Sequence, residues 1–420
     1  MNKPRIVAAI DIGSSKIATL VSQVINDPIT GETSVNIVGA SQAESKGIKK
    51  GQIVDIEEAV EATINSIEAA ERMAGYNLDT AYVAIGGAHI HSQNSHGVVA
   101  VSDPNGEITI SDIDRAIEAA SAVSLPVSRE VIFVVPREFI VDGEAGIRDA
   151  VGMSGVRLEV DTHIVSAAAS ALKNTKKAVN EVGIKIEEMV FSGLASAEAV
   201  LTPTEKELGC VLIDIGGGTT SVAAYIDGAI VYSGVIPIGA KNVTNDLAIG
   251  LRVSLETAEK IKVALSREKS KNAEESDELD LASLNITEIR KISKKTLTEG
   301  IIRPRLNEIF SMVKIELEKE GIVNRIPSGA IITGGGAETA GVVDSAKRML
   351  SVPVRKGLPK GIGGLIDDVI TPAFSTCVGL LLYGAKSAPN ENLTSFSKKI
   401  KLPSVGMFGK LVDSIKNLLP

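Results

Sequence analysis

The chain has 420 residues, 52 acidic against 44 basic side chains, a formal net charge of -8, and 3% aromatics with no tryptophan. That length is long for a single core and predicts two lobes or more. The acidic balance and the shortage of stacking rings argue against general nucleic-acid binding.

The first apolar run, Ile6 to Ile10, stops at Asp11, too short for a signal-peptide core. No apolar stretch approaches the roughly 20 residues of a membrane span, so a cytoplasmic location is expected. The run closes on a glycine turn, IVAAIDIGSSK, and two more such turns follow later: CVLIDIGGGTT from Cys210 and AIITGGGAE from Ala330. Glycine lacks Cβ, so backbone N–H groups at Gly13 and at Gly216, Gly217 and Gly218 can approach phosphate oxygens. The hydroxyls of Ser14, Ser15, Thr219 and Thr220 add donors, and Lys16 adds a positive charge. Asp11 and Asp214, each ending its strand, would repel bare phosphate, so they are expected to hold Mg²⁺ or its waters. The third turn, Gly334, Gly335 and Gly336, offers flat backbone for ribose and base. Neither the GxxxxGK[ST] phosphate loop nor the GxGxxG dinucleotide fingerprint is present.

After the first turn, KIATLVSQV and SVNIVGAS alternate as antiparallel strands. A helix follows, capped by Asp55 with Glu58 at its third position, carrying an apolar face of Ile56, Val60, Ile64 and Ile67, and ended by Gly75. The strand AYVAIGG leads to a self-contained group: HSQNSHGVVAVS, a helix opened by Ser111, and the strands VIFVVPREFIV and VRLEVDTHIVSA. This group reads as an insertion into the first lobe. His89, His91 and His96 invite a metal reading, but no fourth ligand is apparent and a polar, partly exposed strand is the ordinary one.

The second lobe begins at CVLIDIGGGTT and continues as a hairpin turning at Asp227-Gly228. Cys210, in that strand, and Cys377, in a later apolar helix, read as small core residues. REKSKNAEESDELD, from Arg267, reads as a solvated loop. A helix from Arg305 to Glu320 leads to the TGGG turn, and another from about Pro372 to Lys386 closes the globular part. Beyond Ser387 the composition becomes that of a flexible linker. The final LPSVGMFGKLVDSIKNLLP places Met407, Phe408, Leu411, Val412, Ile415, Leu418 and Leu419 on one helical face. With Lys398, Lys399 and Lys401 upstream, it predicts an interfacial helix on anionic membrane lipid.

The ordered set of three turns resembles the actin-like ATPases. GIRDAVGMSGVRLEVDTHIV, SGLASAEAVLTPTEKELGCVLIDIGGGTT and IPIGAKNVTNDLA resemble the FtsA family of bacterial cell-division proteins, and the resemblance runs over essentially the whole chain. It implies an α/β, two-lobed actin-like ATPase fold with an inserted 1C subdomain and a C-terminal amphipathic helix. The expected parts are residues 1–81, 163–195 and 372–388 for the first lobe and 82–162 for the insertion. Residues 196–236 and 304–371 would form the second lobe, 237–303 its small subdomain, and 389–420 the linker and membrane helix.

The resemblance further implies ATP with Mg²⁺ between the lobes, with slow or weak ATPase activity. Glu198 stands where actin-like ATPases keep a polar residue that positions the attacking water, and Glu259 and Lys262 match a stretch that contacts ribose and adenine. The implied partners are the C-terminal peptide of FtsZ, docking on residues 237–303, and further copies of the chain in a filament. The implied location is peripheral, on the cytoplasmic side of the cell membrane at the division site. The alternative is a pilus-assembly protein like PilM, which shares the core and a similar insertion but would end near the globular boundary. A sugar kinase would need an acceptor pocket with a catalytic Asp, for which no motif is visible. A chaperone ATPase would need a substrate domain where only 34 residues follow Lys386.

Overall fold

The computed structural model describes residues 5–27, 32–267, 277–281, 284–286, 292–365 and 367–387. The interfacial helix expected at 403–420 and most of the charged REKSK segment lie outside the described residues.

The chain starts with an antiparallel meander, β1 (Arg5–Ile12), β2 (Lys16–Asn26) and β3 (Thr33–Glu44), in which Ile12 pairs with Ile17 and Asp11 with Ala18 across the first glycine turn. A small hairpin, β4 (Ile48–Lys49) and β5 (Gln52–Ile53), precedes α1 (Ile56–Ala74). Asp55 caps α1 by accepting from the Glu58 N–H, and Gly75 ends it in the left-handed conformation. The buried face of α1 differs from the expected one. Ala59, Ala62, Thr63, Ser66, Ile67 and Ala70 are buried, while Ile56, Val60 and Ile64 are only half covered. The reason is close packing on β3: a Cβ at Gly39 would sit 2.6 Å from the Ala70 carbonyl oxygen, so only small residues fit that interface.

β6 (Thr80–Ile85) returns parallel to β1, and the insertion begins. It comprises β7 (His91–Ala100), α2 (Ile110–Ser121), β8 (Arg129–Val141), β9 (Glu144–Ile147) and β10 (Arg157–Ala168), with strand order β7-β10-β8-β9. Its helix is opened by Thr109, not Ser111: Thr109 and Asp112 satisfy each other's backbone in a capping box. Ile108, Ile113, Leu158 and Val160 form its own small core.

After α3 (Ala169–Glu181), β11 (Lys185–Phe191) joins β6, and α4 (Ser192–Val200) and α5 (Pro203–Leu208) carry the chain to the second lobe. There β12 (Cys210–Ile215), β13 (Thr220–Ile226) and β14 (Ala229–Ile236) repeat the antiparallel meander of the first lobe. The hairpin turn expected at Asp227-Gly228 is present, both residues at positive φ. Next come α6 (Ala240–Leu251), α7 (Leu255–Arg267) and α8 (Lys294–Leu297), which runs through a π-helical turn into α9 (Arg303–Lys319). β15 (Ala330–Thr333), α10 (Val342–Leu350) and β16 (Val354–Lys356) complete a sheet ordered β14-β13-β12-β15-β16. The chain returns through β17 (Gly363–Gly364), which closes the first sheet as β11-β6-β1-β2-β3-β17, and ends its described part in α11 (Ser375–Lys386).

The largest core lies between the two sheets. Ala9 and Leu20 of the first, Leu212 and Ala223 of the second, and α4 and α11 between them are buried in it, Cys210 and Cys377 included. The outer face of the second sheet is covered by α6, α7, α9 and α10, that of the first by α1 and α3. Both glycine turns therefore emerge at the same end of two stacked sheets.

Candidate functional site

The two hairpin turns are built alike. In the first, the Gly13 N–H donates to the Lys16 carbonyl at 3.0 Å; in the second, the Gly216 N–H donates to the Thr219 carbonyl at 2.8 Å. Each follows a strand whose next-to-last residue is an aspartate, with Asp11 opposite Ala18 and Asp214 opposite Ser221. The turns meet across the lobes, where a Cβ at Gly217 would lie 2.6 Å from that of Ser15 and one at Gly218 would lie 2.8 Å from the Ser14 hydroxyl. Beside them opens a cavity of about 1480 Å³, ample for a nucleotide. Asp11, Gly13, Ser14, Ser15 and Lys16 line it from the first lobe, and Asp214, Gly216, Gly217 and Thr219 from the second.

Burial pushes the Asp11 carboxyl up to about 6, helped by the negative charge of Asp214 and opposed by Lys16. Burial also raises Asp214, against hydrogen bonds from Ser196 and Thr376 that hold it charged and the nearby Lys16. Lys16 Nζ sits 3.8 Å over the Phe374 ring; burial lowers its pKa, while acidic neighbours including Asp11 and Asp214 act the other way. Two acids raised by burial, one of them also by the other's charge, form a site that gains when a cation enters.

At the far end of the cavity, Glu259 Oε2 accepts from the Thr244 hydroxyl at 2.6 Å and from Lys262 Nζ at 2.7 Å. Lys262 also donates to Thr244 at 2.8 Å, so α6 and α7 present one preorganised polar cluster. The third turn separates its glycines by role. Gly334, at φ +81°, packs on Asp214, and Gly336 packs on Ile215, so neither tolerates a Cβ. Gly335 faces open cavity, its nearest neighbour the Ala373 Cβ at 3.9 Å.

Three expected residues are not brought to the cavity. The Thr220 hydroxyl is occupied by the Ile238 carbonyl at 2.8 Å, a support for the hairpin rather than a ligand donor. Gly218 is turned towards Ser14 and the Lys50 N–H. Glu198 lies instead on a second cavity of about 380 Å³, its two oxygens taken by Lys206 at 3.2 Å and Lys386 at 2.6 Å. Burial raises its pKa, but the two ammonium groups outweigh that and lower it overall, an unsuitable arrangement for a base. The three histidines do not gather, and among the described residues no group of three or more His, Cys, Asp or Glu side chains is arranged to hold a metal ion. His89 is buried, His91 exposed, and His96 lies between Glu159 and Asp161 at 2.9 and 2.8 Å.

Sequence reasoning missed Lys241, whose Nζ donates to the Ser14 carbonyl at 2.7 Å from across the lobes. The signal was its place one residue into α6, whose first N–H groups donate to the Gly216 and Gly217 carbonyls at 2.9 and 2.8 Å. It also missed Ser196 and Thr376, both within hydrogen-bonding distance of Asp214 Oδ2. No local pattern marks them.

The family described as Cell division protein FtsA matches residues 211–379, and the SHS2 domain inserted in FTSA matches residues 87–166, which takes in the insertion from β7 through most of β10. The chain is 39% identical over 380 residues to the cell division protein FtsA of Pseudomonas aeruginosa, covering 90% of this chain and 89% of that one. It is 34% identical over 417 residues to the FtsA of Escherichia coli, covering 98% and 97%. Among solved structures, the PilM-PilN type IV pilus biogenesis complex superposes with a TM-score of 0.62 at 16% identity, covering 90% of this chain and 98% of that one. MreB5 of Spiroplasma citri bound to ADP superposes with a TM-score of 0.52 at 14% identity, covering 91% and 96%. These likenesses show an α/β actin-like fold carrying an inserted SHS2 domain.

Proposed function

The chain belongs to the FtsA family of cell-division proteins, and on that premise we propose that it is an ATP-binding scaffold that polymerises on the inner face of the cytoplasmic membrane and tethers FtsZ there. The observation that carries the nucleotide part is the pair of matching aspartate-glycine hairpins facing one another beside the large cavity. The Gly13 and Gly216 N–H groups close their own hairpins, so the backbone N–H groups of Ser14, Ser15 and Gly217 and the hydroxyls of Ser15 and Thr219 would hold the phosphates, and Lys241 would add charge. Glu259 and Lys262 would take the ribose and base, with Gly335 beneath them. The donor set suits Mg²⁺, since Asp11 and Asp214 supply hard carboxylate oxygens. When bound, the cation would neutralise charge between these carboxylates and the phosphates. Two fold neighbours support a nucleotide here: the Spiroplasma citri MreB5 structure bound to ADP and the MreB 5 structure bound to AMPPNP, which superpose with TM-scores of 0.52 and 0.50.

Slow hydrolysis fits the ion pairs that hold Glu198, the residue expected to position the attacking water, outside the cavity. The family supports docking of the FtsZ C-terminal peptide on residues 237–303, self-assembly through the inserted domain, and attachment to anionic lipid through Met407, Phe408 and the apolar positions that follow. No described helix is long and apolar enough to cross a membrane.

Calorimetric titration with ATP and Mg²⁺ tests the nucleotide reading. The parent protein is expected to bind and Asp214→Ala to lose most of its affinity. Equal affinity of the two proteins, or no binding by either, would overturn it.

A further inference from the structure

We propose that Ser196 and Thr376 are positioning residues that fix which oxygen of Asp214 is presented to a divalent cation accompanying the nucleotide. The inference rests on the nucleotide reading above and extends it to two residues that carry no motif.

Asp214 Oδ2 accepts from the Ser196 hydroxyl at 2.5 Å and from the Thr376 hydroxyl at 3.2 Å, and the two hydroxyl oxygens are 3.0 Å apart. All three side chains are buried. One carboxylate oxygen is thus committed to the protein. The other, Oδ1, is pressed by the third glycine turn, where a Cβ at Gly334 would come within 2.2 Å of it. The two hydrogen bonds on Oδ2 and the Gly334 backbone beside Oδ1 restrict rotation about the terminal bond of Asp214, and a preorganised ligand loses less freedom on binding.

The two hydroxyls come from different places in the chain. Ser196 is on α4, the passage from β11 in the first sheet to β12 in the second. Thr376 lies in the first turn of α11, which packs against β1 and β2 of the first sheet. These helices cross so closely that a Cβ at Gly379 would sit 1.7 Å from the Ala195 carbonyl oxygen. A carboxylate of the second lobe is therefore set by the helices that join it to the first, and its cation affinity depends on how the lobes are seated. If the hydroxyls only filled a buried corner, their loss would weaken folding without any dependence on the cation.

The test measures ATP binding by calorimetry over a series of Mg²⁺ concentrations, and again in EDTA, for the parent, Ser196→Ala, Thr376→Val and Thr376→Ser. Loss of a hydrogen bond to a charged oxygen is expected to raise the Mg²⁺ concentration needed for half the effect by about tenfold in Ser196→Ala and Thr376→Val. Thr376→Ser, which keeps the hydroxyl, should follow the parent, and affinity in EDTA should be the same in all four. An unchanged Mg²⁺ requirement, or an equal loss with and without Mg²⁺, would overturn the proposal. Failure of the parent itself to bind ATP would instead overturn the nucleotide reading.

Discussion

His163 Nε2 lies 3.0 Å from the Ser233 hydroxyl, a contact between the inserted sheet and the edge strand of the second-lobe sheet. Its Nδ1 lies 2.8 Å from Asn94 Oδ1, whose amide nitrogen donates to the Val231 carbonyl at 3.3 Å, while Ser92 and Ser233 bond at 2.7 and 3.1 Å. Nδ1 then carries the proton, Nε2 can accept from the Ser233 hydroxyl, and burial favours the neutral ring. The insertion hangs from the first lobe by its chain and from the second by this network.

Burial, with the positive charge of Arg137, pushes the His163 pKa down to about 3. The unfolded ring takes a proton below about 6.5, so the stability that the neutral ring supports is full above that pH and falls as acid is added through the window down to about 3. At pH 5 the loss amounts to about 2 kcal/mol. Denaturant unfolding of the parent and of His163→Gln at pH 7 and pH 5 should show a smaller pH dependence in the variant. The same dependence in both would refute this assignment.

Gly335→Val and Gly217→Val separate ligand space from folding. A side chain at Gly335 meets nothing but the Ala373 Cβ at 3.9 Å, whereas one at Gly217 strikes Ser15. Gly335→Val is expected to lower ATP affinity by about tenfold or more with an unchanged unfolding midpoint, and Gly217→Val to lower both. ATP affinity at the parent's level in Gly335→Val would show that no ligand reaches the third turn.

Glu198→Gln should cost stability rather than chemistry. It leaves Lys206 and Lys386 without their shared carboxylate, a loss of about 1 to 2 kcal/mol. Single-turnover ATP hydrolysis should stay within about twofold of the parent. A large fall in turnover with unchanged stability would restore Glu198 as the residue that positions water.

Replacing Phe408 and Leu411 by Glu should release the protein from anionic liposomes while ATP binding persists. The seven apolar positions offer about 1 kcal/mol each on partial burial, against roughly 1 to 2 kcal/mol per residue for ordering the helix. A single tail is then marginal and an array of them is not. Co-sedimentation of the double variant at the parent's level would count against lipid attachment.

The glycine turns were legible because the residues that make them, Asp11 to Lys16 and Asp214 to Thr219, are contiguous, and although glycine commonly ends strands, three such turns in this order are specific. The strands, the Asp55 cap and the Asp227-Gly228 turn were legible for the same local reason. The face of α1 was misjudged because large apolar residues normally mark a buried stripe, whereas close packing on Gly39 selects alanine and serine. Ser196 and Thr376 were invisible because their shared partner lies 18 and 162 residues away, distances over which spacing carries no information, and Lys241 was marked only by its place at the start of α6.

On the proposed nucleotide reading, a polyphosphate held between the two hairpins, near copies on separate sheets, would be gripped bivalently. Each half alone offers a few N–H groups and one acid, and the second half acts at a high effective concentration only while the first is engaged. Affinity then becomes a gauge of interlobe distance: anything that spreads the sheets, at the His163 contact or at the crossing of Ala195 and Gly379, weakens binding without touching a ligand contact. Conversely, a bound polyphosphate acts as a tie-rod, lending the pair of lobes a stiffness that neither core provides.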